Sequence, residues 1–356
     1  MVKDGDFTQY REMLLMLFVA NACCSIVKSI KGLHPLFDST HKATFSDSAA
    51  PIGYSLILGS FLFGMGMQLG NGCASGTLIG LGEGFVKSYI VLPFFIIGAT
   101  LAATDSWYNW WSNLPKTKTT VQIDFGFILL ILLTLYILTY IADYIRAKRK
   151  LADPEGRIGS EFGNMRRLFT IDPLGDNADE PNKSKWYKST LVAVALGITV
   201  AFFYMCVGSM IGVMGVFPKI GGVVLKIFGK DVNQWKYFKD FGALPKSLLD
   251  LVIFNSDVFM ALGAFLASTI ARNFGTSQKN SVVEIIKGII GGLLMGIGAR
   301  FSSGCNIGSM LSGITSSSLH GFVWMFCAIL GSLVVCQTTK YIENREKGLN
   351  TYTPIK

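Results

Sequence analysis

Eight stretches of this chain are apolar for about the 20 residues that a helix needs to cross a bilayer. They are Met13–Ile30, Ile52–Leu69, Val86–Thr104, Phe125–Ile145, Thr190–Met214, Leu249–Ala271, Val283–Phe301 and Leu319–Thr338. So many runs cannot be hidden inside one water-soluble globule of 356 residues. Charged residues are scarce to match, at 15%, against about 25% in an ordinary soluble protein. The expected fold is an all-α polytopic membrane protein. Two shorter Gly/Ser-rich apolar pieces, Cys73–Gly84 and Cys305–Ile314, are too short to span. They read as re-entrant half-helices, whose broken backbone is tolerated only inside protein or beside a cavity.

The net charge of +9 raises the question of nucleic acid. Its distribution answers no, because Lys and Arg sit in loops between the apolar runs. That is the pattern which orients membrane proteins, and it places both termini in the cytoplasm. The resulting division is a first membrane repeat at 1–145, a cytoplasmic linker at 146–188, a second repeat at 189–340 and a cytoplasmic tail at 341–356. Within the second repeat, Val216–Pro245 carries Lys219, Lys226, Lys230, Lys236 and Lys239 and reads as an interfacial segment. Trp107, Trp110 and Trp111 read as an interfacial aromatic belt. Met1–Tyr10 is polar and has no signal-peptide pattern.

A repeat is visible inside the apolar sequence. GSFLFGMGMQLGNGCASGT (Gly59–Thr77) lies over GGLLMGIGARFSSGCNIGS (Gly291–Ser309) at a constant offset of 232. The offset pairs Gly59 with Gly291, Gly64 with Gly296, Gly66 with Gly298, Gly72 with Gly304, Cys73 with Cys305 and Gly76 with Gly308. Carried on, it sets Val86–Thr104 against Ser318–Cys336. Five crossings separate matching points, so the second repeat is expected to be inverted. The two motifs would then meet near the midplane, as in transporters built from inverted repeats with broken helices. Thr190–Met214 has no counterpart before the first repeat, so an N-terminal element is expected to be missing.

Each motif has Gly before its Cys and Gly three residues after it. A half-helix starting there aims free N–H groups and its positive dipole end at a small anion. The thiol is a weak donor and a polarizable atom, suited to a soft sulfur ligand. Asn71, Gly72, Cys73 and Ser75 of the first motif, and Gly304, Cys305 and Asn306 of the second, are the candidate contacts, together with Ser302 and Ser303. Arg300 stands opposite Gln68; an intramembrane Arg is costly and is a candidate for attracting an anion. The three histidines form no metal-spaced cluster, and no cofactor is required. The other cysteines, Cys23, Cys24, Cys206, Cys327 and Cys336, read as small core residues.

The pair FGMGMQLGNGCASGT–GEG and GGLLMGIGARFSSGCNIG resembles the motifs of the YeeE/YedE sulfur-transport family. The resemblance implies an hourglass-like helical protein of the plasma (cell inner) membrane. It implies uptake of thiosulfate or a related small sulfur anion by transient hydrogen bonds to thiols, here Cys73 and Cys305. It also implies a small cytosolic sulfur-carrier protein as partner, besides membrane lipid. The family's third cysteine, in an N-terminal segment of the form RFC…FRD, has no counterpart here. Cys23 and Cys24 do not take its place. The alternatives from the residues themselves are a membrane thiol oxidoreductase, for which no C-x-x-C is present, and a channel for another small solute or a soft metal.

Overall fold

The computed structural model describes residues 8–30, 35–36, 45–151, 181–275 and 281–346. Most of the expected linker, the end of the expected tail and the first seven residues lie outside them. The chain is all-α. Among the described residues the extended pairings are isolated bridges, such as Gly53 with Lys116 and Gln122 with Ser318. Among the described residues seven helices are long and apolar enough to cross a membrane. There are eight if the pair Val86–Ala102 and Asp105–Ser112, bent by 70°, is one span. This agrees with the eight expected runs and defines an integral, polytopic membrane protein.

The contacts divide the chain into two compact units. One comprises Met1–Ser46 and Ile123–Ser209. Its helix α1 (Thr8–Ser29) packs on α6 (Phe125–Leu151) and α7 (Pro181–Val207). Leu14, Leu17, Ala20 and Cys24 bury one face of α1. The Arg11 guanidinium lies 4.6 Å from the centre of the Tyr140 ring, and Ser189 hydrogen-bonds to Glu12.

The second unit comprises Asp47–Gln122 and Met210–Lys356. Its first segment holds α2 (Tyr54–Gly70), α3 (Ala74–Gly82), α4 (Val86–Ala102) and α5 (Asp105–Ser112). Its second holds α8 (Phe217–Ile227), α9 (Lys236–Phe241), α10 (Val252–Ile270) and α11 (Val282–Phe301). A π-helical turn (Asn306–Leu311), α12 (Ser312–Thr315) and α13 (Leu319–Glu346) follow. Both glycine motifs therefore lie in this unit.

The matched glycines are where its helices touch. A methyl on Gly59 would lie 2.6 Å from the Gly298 carbonyl oxygen, and one on Gly66 would lie 2.7 Å from that of Gly291. As the number rises on α2 it falls on α11, so the two helices cross antiparallel. The same reciprocity joins the flanking helices. Gly64 abuts Ala328 of α13 and Gly296 abuts Phe95 of α4; Gly98 abuts Leu293 and Gly331 abuts Phe61. These glycine contacts of one repeat are thus returned by the other, with small residues letting the backbones meet as membrane helices do. Lys87 and Lys287 add a shared pairing to Glu284, at 2.7 and 2.9 Å, where α4 and α11 begin.

Two expectations are corrected. The constant offset holds only as far as Thr77 and Ser309. Beyond them the matched features are one residue further apart. The Phe85 N–H bonds to Gly80 O as the Ser318 N–H bonds to Gly313 O, and α4 begins at Val86 where α13 begins at Leu319. The π-helical turn absorbs that one inserted residue, since its wider winding takes up an extra position without breaking the helix. The second correction concerns the tryptophans. Trp107 and Trp110 are exposed, but Trp111 is buried, and its Nε1–H donates to Ala102 O at 2.9 Å. It packs with Tyr108, Tyr237, Phe238 and Phe301 in a core cluster. Amphipathic spacing brings Val216–Pro245 into the fold as α8 and α9, with Phe217, Tyr237 and Phe238 buried.

Candidate functional site

Both cysteines cap the start of a half-helix, and the backbone reaches them by the same route. The α2 helix ends at Gly70, and Asn71 turns into the left-handed region at φ 61°. Its partner after α11, Ser303, has φ 61° as well. The next N–H then reaches back into the preceding helix, Gly72 to Met67 O at 3.1 Å and Gly304 to Ala299 O at 2.9 Å. The cysteine carbonyl then accepts the first bond of the new turn, from Thr77 N–H and from Ser309 N–H, both at 2.8 Å. Asn is among the few side chains that tolerate left-handed backbone, and Gly304 has φ 156°, a conformation that costs glycine little.

The side chains differ more than the backbones do. Cys73 is half-buried. Its sulfur accepts from the Gly76 N–H at 3.4 Å and lies 3.2 Å from Ser75 Oγ. Cys305 is 1% exposed. The amides of Ile307 and Gly308 approach its sulfur without closing a full cap bond. Gly308 is the repeat partner of Gly76, but only the Gly76 amide makes a hydrogen bond to its thiol. Cys73 also lies within electrostatic range of Cys305, as does Asp257 of α10. The two cysteines are 232 positions apart in sequence, and both are free thiols.

The remaining candidates fall into two groups. Asn71, Ser75 and Asn306 stay beside the cysteines. Asn306 Oδ1 is buried without a hydrogen-bond partner among the described residues, so one end of that amide is open to a ligand. Ser302 and Ser303 separate: Ser303 is exposed, whereas Ser302 is buried, donating to Gly298 O at 2.8 Å and accepting from Trp324 Nε1–H at 3.0 Å. Arg300 is held aside from the thiols. Its guanidinium donates to Tyr237 Oη at 2.6 Å and to Met214 O at 2.9 Å, while Nε has no partner. Three of the other cysteines, Cys23, Cys24 and Cys206, lie in the first unit; Cys327 and Cys336 lie on α13. Among the described residues no group of His, Cys, Asp and Glu could hold a metal ion.

Sequence reasoning missed Asp257. The signal was present, because it is the lone acid in the apolar run Val252–Ile270.

An all-α membrane protein whose two related helix pairs bring a pair of half-helix cysteines together has the parts of a transport protein. The chain belongs to the Sulphur transport family, whose model matches residues 1–334. It is 27% identical over 286 residues to the thiosulfate transporter TsuA of Spirochaeta thermophila, covering 78% of this chain and 74% of that one. It is 23% identical to the Escherichia coli TsuA over 77% of this chain and 71% of the other. A shorter match, 30% identical over 150 residues, joins it to the Escherichia coli probable transporter YedE; it covers 42% of this chain and 37% of YedE.

Proposed function

We propose that the protein carries thiosulfate, or a closely related small sulfur anion, across the plasma (cell inner) membrane through a passage lined by Cys73 and Cys305. The observation that carries this reading is that two free thiols, each at the N-terminus of a half-helix, lie within electrostatic range of each other in one unit. A terminal sulfur accepts a hydrogen bond from one thiol and then from the next. Half-helix amides and the Asn71, Ser75 and Asn306 side chains offset the remaining charge. Each contact is weak, and sequential weak sites favour passage over trapping. The family and the TsuA relatives support transport, not an enzymatic reaction. Nothing in the cycle requires a cofactor.

Inversion of the two repeats across the bilayer belongs to the same proposal. So do cytoplasmic termini, an hourglass-like passage, and the division into repeats at 1–145 and 189–340 with a linker at 146–188 and a tail at 341–356. The antiparallel crossing of α2 and α11 supports the inversion. A small cytosolic sulfur carrier is the proposed acceptor of the imported sulfur. Arg300, fixed by Tyr237 and Met214, acts here as an anchor of the segment before α10 and lends its positive field at long range.

The test is uptake of labelled thiosulfate by cells lacking their own system. Wild type is expected to restore uptake, and Cys73→Ala and Cys305→Ala each to reduce it at least about tenfold, the effect of about 1.4 kcal/mol at the rate-limiting step. Undiminished uptake in both variants would sink the proposal.

A further inference from the structure

Helix α10 carries one ionisable residue, Asp257, which follows Asn255 and Ser256 in an otherwise largely apolar helix. The residue is 4% exposed, and neither carboxylate oxygen has a hydrogen-bond partner among the described residues. Asp257 lies on the wall of a cavity of about 440 Å³ bounded by α3, α4, α8 and α10. Leu78, Leu92, Phe217 and Phe254 supply much of the remaining wall. A carboxylate held ionised in such surroundings is costly unless something compensates it. Intramembrane acids that persist on these terms mark ion pathways and proton relays.

We propose that Asp257 is a proton-binding site that couples proton movement to anion movement through the cysteine passage. The proposal rests on the sulfur-anion reading above and adds its driving ion. A hard metal cation would need about six or more oxygen ligands, whereas this wall offers mostly aliphatic and aromatic carbon. A proton is the cation such a site can hold.

The coupling route is short. The cavity is lined by Leu78, Leu81 and Gly82 of α3, the half-helix that Cys73 caps, and Asp257 is within electrostatic range of Cys305. An anion at the thiols therefore favours the protonated carboxyl, and the protonated carboxyl favours the anion, by equal factors. In each cycle the carboxylate takes one proton from the side of higher proton activity as the anion arrives. It returns that proton to the opposite side after the anion leaves, and no bond within the anion changes.

The titratable neighbours are few. Tyr89 of α4 lies on the same wall, with its hydroxyl donating to Leu81 O. Glu83 caps the end of α3, and α8 carries Lys219 beside the wall residue Ile220. Asp250 precedes α10 and accepts from the Ser247 N–H. Arg272, just beyond the end of α10 and two residues before the wall residue Phe274, and the thiols of Cys73 and Cys305 complete the set among the described residues.

The test uses the full chain in liposomes with the membrane potential clamped. Labelled thiosulfate accumulation is measured with and without a pH gradient. For one coupled proton, wild type is expected to change its accumulation ratio about tenfold per pH unit. Asp257→Asn is expected to equilibrate thiosulfate without responding to the gradient, and Asp257→Glu to keep a response. An Asp257→Asn protein that responds like wild type would overturn the coupling alone, as would a wild type that ignores the gradient. If wild type moves no thiosulfate even down its own gradient, the substrate reading fails and the coupling falls with it. Should Asp257→Asn not fold, infrared difference spectra of wild type carrying isotope-labelled aspartate decide. A protonated carboxyl band that grows on thiosulfate addition supports the site, and its absence overturns it.

Discussion

Cys73 and Cys305 share a backbone setting but not an environment. The half-buried Cys73 thiol is reachable and already engaged by Ser75 and Gly76, whereas Cys305 is shut in. On the proposed function, an anion reaches the less exposed Cys305 only by shedding more water than at Cys73, and the Cys305 variant is expected to lose more selectivity for sulfur. Gly304, beside Cys305, leaves little freedom. Its φ is 156°, and a methyl there would lie 2.7 Å from Ser309 Oγ and 2.9 Å from the Ser309 nitrogen. Gly304→Ala is therefore expected to cost about 1–3 kcal/mol of backbone strain and to misplace Cys305. Thermal unfolding in detergent checks the first effect and thiosulfate uptake the second. Gly72, whose added methyl would meet nothing nearer than 3.8 Å, is expected to tolerate the same change much better.

Among the elements, α2 and α11 carry the architecture because their glycines let them cross at backbone contact. Gly298→Ala would place a methyl 2.6 Å from Gly59 O and from the Phe63 nitrogen. Overpacking of this kind is expected to lower stability by about 1–3 kcal/mol. Gly263→Ala, in an exposed stretch of α10 with nothing within 4 Å, is expected to raise stability by about 0.5–1 kcal/mol by restricting the unfolded chain. Unfolding curves of the two variants side by side test whether close approach, and not glycine content, explains the motif. These contacts were largely legible in the sequence, because a glycine that is matched at a fixed offset marks a shared backbone geometry. The inserted residue was not. Past Ser309 only Gly313, 233 positions after Gly80, marks the shifted register before Gly331, and apolar residues substitute freely for one another in a bilayer. Trp111 was misread for a related reason: a tryptophan's sequence setting does not reveal that Ala102 O lies within reach of its indole N–H.

At the scale of the whole molecule, hydropathy fixes the class and the number of crossings. It does not reveal that residues before Ser46 assemble with Ile123–Ser209 while Asp47–Gln122 assembles with the second half of the chain; that grouping is written in non-local contacts. Asp257 was hidden for the opposite reason, since one acid among hydrophobic neighbours does little to a hydropathy profile. Inversion has a sidedness consequence. Asn71 and Ser303 are both exposed, so Asn71→Cys and Ser303→Cys are expected to react with a membrane-impermeant thiol reagent from opposite faces of the membrane. Labelling of both from one face would contradict the inversion. The claim at the centre is that a sulfur atom of the anion sits against the motif thiols. It is tested most directly by the alkylation rate of Cys73 in the purified full-length protein, followed by mass spectrometry at that residue. Thiosulfate is expected to slow the reaction in a saturable manner while sulfate at equal concentration leaves it unchanged. Equal protection by the two anions, or none by either, would contradict the claim.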